Sequence, residues 1–178
     1  MRAVVPIYDT TGQYMIGYTA RSTNQQCGIC GTYHYFKYPC PRNKVEERFA
    51  CKWRHSDGFY SGSTLYNIWN FNGDTALLVE GTGDVWSAVE AGCNNCLGLF
   101  GCNISKQQIQ MLVEHGIQNV ILCLDNDDAG KTGTEKIISK IKMYFNIDVL
   151  SHNKKDIGEL TKNETKDILG AARWKLLE

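Results

Sequence analysis

Val120-Ile-Leu-Cys-Leu-Asp-Asn-Asp-Asp-Ala-Gly130, VILCLDNDDAG in one-letter code, decides how the rest of the chain is read. Val120 to Leu122 and Leu124 are apolar and interrupted only by Cys123, so they predict a buried strand. A strand without alternation suits a parallel sheet covered on both faces. The strand runs into Asp125, Asp127 and Asp128 and then a small-residue turn that opens a helix. Ligands bind such sheets at the carboxyl ends of their strands. Carboxylates packed this densely repel one another unless a cation sits among them, and hard oxygen donors suit Mg²⁺.

Two other loops share parts of this pattern. Asp125, Asp127 and Gly130 occupy the first, third and sixth places of an EF-hand loop. Ala129 and Lys136 fill the fifth and twelfth, where oxygen ligands are required, and a strand precedes the loop instead of a helix. Gly130-Lys131-Thr132 imitates the end of a P-loop, but its required earlier glycine falls on Asp125. The bland alternative is a solvated helix N-terminus whose acids are stabilised by the dipole.

Downstream of a turn at Asn72-Gly73-Asp74, strand and helix patterns alternate. Strands are expected at Ala76–Val79, Cys96–Phe100, Val120–Leu124 and Ile147–Leu150, and helices at Asp84–Ala91, Ser105–His115 and Ala129–Phe145. This spacing means right-handed βαβ units and an α/β fold with a parallel sheet. Glu80 ends the first strand, with Asp84 one turn later. Asp125 and Asp127 end the third, and Asp156 follows the fourth. If the first and third strands are neighbours, these acids converge on one edge. There they would hold one or two Mg²⁺ or Mn²⁺ ions for in-line displacement at phosphorus.

The first 71 residues read differently. Ala3–Tyr8 and Tyr14–Thr19 are short strands around the turn Asp9-Thr10-Thr11-Gly12, and Ser63–Phe71 predicts a short helix packed on the core. Between them, over about residues 22–55, lies an insertion with Cys27-Gly-Ile-Cys30, His34 and Cys40, together with Tyr33, Tyr35, Phe36 and Tyr38. These four ligands make a closed tetrahedral zinc set whose metal would supply the folding energy of a loop poor in apolar surface. Cys51 and His55 are alternative fourth ligands to His34. Cys93, Cys96, Cys102 and Cys123 read as small core hydrophobes. Cys51-Lys52-Trp53-Arg54-His55-Ser56 sets cations around an aromatic ring, a pattern suited to phosphates and stacked bases.

Net charge is zero, but residues 1–71 carry eight Lys/Arg against four Asp/Glu, and residues 72–178 eleven against fifteen. A basic lobe of +4 beside an acidic lobe of −4 is what a phosphodiester enzyme would want. The start of the chain lacks a signal-peptide apolar region, and no run of about 18 apolar residues predicts a membrane span.

Leu77–Gly81 with Asp84, followed by Leu124-Asp-Asn-Asp-Asp-Ala-Gly130, resembles the Toprim domain shared by DnaG-type primases, topoisomerases and several nucleases. In that resemblance Glu80 matches the family's glutamate, Asp125 and Asp127 its Asp-x-Asp pair, and Asp84 an additional acid of primases. Lys155–Glu159 resembles a Lys-Asp-Pro-Asp-Glu segment in which Asp156 and Glu159 are kept and Gly158 replaces the second acid. Arg2–Pro6, Gly17–Arg21, Lys52–Ser56 and Leu65-Tyr66-Asn67 resemble pieces of the primase RNA-polymerase core. The Cys/His insertion resembles one in phage-type primase-like proteins.

The resemblance implies a Toprim-type parallel sheet flanked by helices (residues 72–178), preceded by a small α+β basic lobe (1–71) with a zinc-knuckle-like insertion. It implies Mg-dependent synthesis of short RNA primers from nucleoside triphosphates on single-stranded DNA. Glu80, Asp125 and Asp127 would be catalytic, Asp84 and Asp156 supporting metal ligands, and Arg21, Lys52 and Arg54 contacts to nucleotide or template. A replicative helicase or a separate template-reading domain is the implied protein partner, since neither is expected in this sequence, and the cytoplasm of a cell or phage host is the implied setting. A Toprim-type nuclease and a non-catalytic nucleic-acid-binding module use the same features and stay open at this point.

Overall fold

The computed structural model describes residues 1–34, 40 and 50–177. Tyr35, Phe36 and Tyr38 of the insertion lie outside the described residues. The chain divides into two units, Met1–Phe59 and Tyr60–Glu178, so the division falls before the Asn72–Asp74 turn and not at it.

In the first unit, β1 (Arg2–Tyr8) and β2 (Met15–Ser22) form an antiparallel hairpin, and β3 (Trp53–His55) pairs with β2. Asp9 builds the connecting turn. Its carboxylate accepts the hydroxyl of Thr11 and the backbone N–H groups of Gln13 and Tyr14. Val5 and Ile7 are buried on one face of this sheet, and Ala20, the partner of Val4, on the other.

In the second unit, β4 (Thr75–Val79), β5 (Cys96–Gly98), β6 (Asn119–Leu122) and β7 (Asn146–Val149) form a sheet in the order β5-β4-β6-β7, every pair parallel. β4 and β6 are buried along their whole length, which is why neither alternates. On one face, Ala76, Leu78, Val120 and Leu122 pack with Leu112 of α2 (Lys106–Glu114) and Ile137 and Ile141 of α3 (Asp128–Ile141). Leu77, Val79 and Ile121 alternate to the other face. Val85 and Ala88 of α1 (Thr82–Glu90) and Leu169 of α4 (Lys162–Gly170) are also buried. No helix among the described residues is long and apolar enough to cross a membrane.

Two readings of this region need correction. Residues 63–71 do not form a helix. Single 3₁₀ turns at Ser61–Ser63 and Ile68–Asn70 flank Tyr66, whose backbone bridges Gly98 on the edge of β5. Asn67 takes a left-handed φ of 72°, which a helix interior excludes, and its side-chain amide donates to the carbonyls of Asn94 and Cys96. Leu65 and Ile68 still reach the core, as their spacing suggested. The second correction is Cys102, which is half-buried, whereas Cys93, Cys96 and Cys123 are enclosed. Burial pushes the Cys96 thiol well up and that of Cys123 to about 12, so both stay neutral.

Candidate functional site

Because β4 and β6 are hydrogen-bonded neighbours, their carboxyl ends leave the sheet side by side. The Cys123 N–H donates to the Leu78 carbonyl, and two residues on, the Asp125 N–H donates to Glu80 Oε1 at 3.2 Å. The glutamate that ends one strand thus touches the first aspartate beyond the next. Asp84 sits in the first turn of α1, 9% exposed; its Oδ2 accepts the Gly81 N–H at 2.9 Å and its Oδ1 the Gly158 N–H at 3.3 Å. Asp127 caps α3, accepting the Gly130 N–H at 2.9 Å. A glycine is required at 130, since any Cβ there would overlap the Asp125 carbonyl.

Among the described residues, no lysine or arginine forms an ion pair with Glu80, Asp84, Asp125, Asp127 or Asp156, and the ion pair found is Arg54–Asp57 in the first unit. Burial raises the Glu80 carboxyl above its usual range, the Asp125 N–H opposes this, and Asp127, Asp84 and Asp156 add repulsion. Burial also raises Asp84, with Asp156 contributing. Asp125 is affected most: burial, then Glu80, Asp84, Asp156 and Asp127, push it up to about 7. Four acids acting on one carboxyl mark a convergent cluster. Its all-oxygen donors fit a hard divalent ion such as Mg²⁺.

Gly158, which stands where the sequence comparison expected a second acid, contributes its backbone N–H to Asp84 in place of a carboxylate. Asp156 precedes a 3₁₀ turn at Ile157–Glu159, and Glu159 accepts the Lys155 N–H at 3.3 Å. Glu159 is thereby used locally.

In the first unit, Cys27, Cys30, His34 and Cys40 each direct one donor atom to a common point, all four atoms lying within 4.8 Å of one another. His34 Nε2 is 3.2 Å from Cys30 Sγ and 3.5 Å from Cys40 Sγ. The structure therefore brings His34 into the set, while Cys51 Sγ faces Arg2 Nη2 at 3.8 Å. Hydrogen bonding by Thr32 draws the Cys30 thiol down to about 6, and the N–H groups of Cys30 and Ile29 lower Cys27. Thiols that ionise this readily, with an imidazole, make a donor set suited to zinc.

The residues expected to meet nucleic acid do not form one patch. Arg21 is exposed on β2 and lies over the ring of Trp53, 5.4 Å from its centroid, the two being register partners. Arg54 pairs with Ala20, placing it on the opposite face of the sheet, and its guanidinium binds Asp57 at 3.2 Å. Lys52 immediately precedes β3, and its carbonyl accepts the Ser22 N–H. Two residues that the sequence reading passed over also belong to the acidic edge. Asn126 and His152 join its loops through backbone carbonyls, contacts that carry no periodic signal in a sequence.

The Toprim-like family matches residues 77–161, which contain all five acids. The chain is similar to a DNA primase of Mycoplasma pneumoniae, 27% identical over 184 aligned positions that take in 99% of this chain and 26% of that protein. It is also similar to the DNA primase of Escherichia coli K12, 33% identical over 95 residues, 51% of this chain and 16% of that one. The chain thus spans about a quarter or less of the length of these relatives. Among solved structures, the RNA polymerase domain of Mycobacterium tuberculosis primase DnaG superposes with a TM-score of 0.70 at 17% identity, covering 96% of this chain and 55% of that one. A DnaG primase catalytic domain bound to single-stranded DNA gives 0.68 at 23% identity, covering 96% and 51%. Residues 77–161 thus match the Toprim-like family, and the chain is similar over nearly its whole length to a DNA primase.

Proposed function

We propose that this chain is the catalytic core of a primase-type nucleotidyltransferase, which joins ribonucleoside triphosphates into short primers on single-stranded DNA. The observation that carries the reading is the convergence of Glu80 and Asp125 from adjacent parallel strands, with Asp84, Asp127 and Asp156 at the same edge and no lysine or arginine paired to them among the described residues. Glu80, Asp125 and Asp127 would hold the divalent ion, and Asp84 and Asp156 would support them. When bound, Mg²⁺ or Mn²⁺ stabilises charge on the attacking and leaving oxygens of an in-line displacement.

The protein's share is positional. Asp125, its carboxyl raised to about 7, would serve the ion as a carboxylate, and Glu80 keeps the β4 and β6 ends in register through the Asp125 N–H. Fixed orientation and preorganised charge supply most of the acceleration, since transfer at phosphorus needs little covalent help from a protein. Arg21, seated on Trp53, offers a guanidinium to the template backbone, and Lys52 a second cation. A similar catalytic domain has been solved with single-stranded DNA, which supports this choice of template. Cys27, Cys30, His34 and Cys40 would hold a structural zinc, a reading their clustered donor atoms support. A helicase or a separate template-reading module completes the replication machinery.

The test is incubation with single-stranded template, nucleoside triphosphates and Mg²⁺. New short chains are expected from the wild type and none from folded Asp125→Ala. Shortened template without nucleotides would identify a Toprim-type nuclease instead. No turnover by the wild type, with template affinity intact in the Glu80/Asp125/Asp127 triple alanine variant, would identify a binding module.

A further inference from the structure

The loop carrying Asp125 and Asp127 and the loop carrying Asp156 both lie beyond the ends of their strands, where the sheet ladder no longer joins them. Four contacts replace it. The Asn126 N–H donates to the Lys155 carbonyl at 2.7 Å, and its side-chain amide donates to the His152 carbonyl at 3.1 Å. The His152 ring, 9% exposed, lies between two further carbonyls, with Nε2 3.2 Å from Leu124 O and Nδ1 3.1 Å from Lys154 O. Carbonyl oxygens only accept, so the ring donates to one of these two according to its tautomer, and it is enclosed between them.

We propose that Asn126 and His152 are positioning residues, a cross-brace that holds the Asp125–Asp127 loop against the Asp156 loop and so sets how tightly this edge grips a divalent cation. The inference rests on the metal-binding reading above. Asp156 and Asp125 repel one another, and their repulsion pushes the two loops apart unless something ties them. The brace supplies that tie before any cation arrives, so the ion does not have to gather its own ligands. It acts from behind, through main-chain carbonyls, and leaves the carboxylates free to coordinate.

The experiment is a Mn²⁺ titration of the full chain, with unbound Mn²⁺ counted by electron paramagnetic resonance, for the wild type, Asn126→Ala, His152→Gln and the double variant. Losing an orienting partner of this kind weakens metal binding on the order of tenfold. That loss is expected for His152→Gln, with a severalfold loss for Asn126→Ala. The double variant is expected to be no more than about twofold weaker than His152→Gln, because both residues serve one brace. At saturating Mn²⁺ the rate of nucleotide joining recovers, because every ligand is still present. Unchanged affinity in the folded variants overturns the proposal, and if His152→Gln does not fold, Asn126→Ala decides alone. A wild type that binds Mn²⁺ but makes no chains overturns the primase reading and leaves the brace to stand or fall on the affinities. A wild type that binds no Mn²⁺ overturns both.

Discussion

Asp125→Asn is expected to stabilise the metal-free protein at pH 8 while abolishing its chemistry. Asp125 ionises near 7 in the fold, against 3.8 for an ordinary aspartate. That difference of about three units would be worth ~4 kcal/mol at 1.36 kcal/mol per unit in a fully enclosed group. The carboxyl is half-buried, so solvent screening reduces it to about 1–2 kcal/mol. The sign follows from proton linkage. Between pH 3.8 and about 7 the folded chain keeps a proton that the unfolded chain releases, so this group's contribution is intact below 3.8 and is lost as pH rises through 7. Asparagine has no proton to lose. The variant should therefore match the wild type near pH 4, pull ahead across pH 4–7, and lead by about 2–8 °C in melting temperature at pH 8. The assay is thermal unfolding followed by circular dichroism, without added Mg²⁺ and without chelator, so that the Cys/His cluster is undisturbed. Adding Mg²⁺ should reverse the order, because the wild type alone gains from binding. An Asp125→Asn protein less stable than wild type at pH 8, or a gap independent of pH, would refute the convergence of charge on this residue.

Gly130→Ala should lose at least about 1–3 kcal/mol in denaturant titration, since the added methyl overlaps the Asp125 carbonyl and the loop must move. Atomic absorption should find one zinc per chain in the wild type and none in Cys30→Ser, and stripping the metal should make the thiols of Cys27 and Cys40 reactive. Arg21→Ala should weaken binding to single-stranded DNA and reduce the slope of log affinity against log salt by about 0.7, read by fluorescence anisotropy. Arg54→Ala should change that slope less, because its charge is paired with Asp57 on the opposite face of the sheet.

The parallel sheet was legible because burial on both faces writes itself into a sequence as unbroken apolar runs, as in Ala76-Leu-Leu-Val79 and Val120-Ile-Leu122. The acids were legible because they crowd the ends of those runs. That β4 and β6 are neighbours was not, since strand order is decided by packing among distant segments. β3 escaped notice because three residues carry no period, and its existence depends on pairing with β2. The α4 helix did leave a signal, the capping box Thr161–Glu164, but its face is too polar to stand out by periodicity. Helical spacing at Leu65 and Ile68 misled because the β5 edge competed for the Tyr66 backbone and won.

That competition matters to anyone trimming the chain. The Tyr66–Gly98 bridge seals the outer rim of the sheet, and Leu65 and Ile68 plug the core beneath it. A fragment cut at Asn72 would bare the amides and carbonyls along β5 and invite fibrous self-association, whereas one starting at Tyr60 would keep its rim closed.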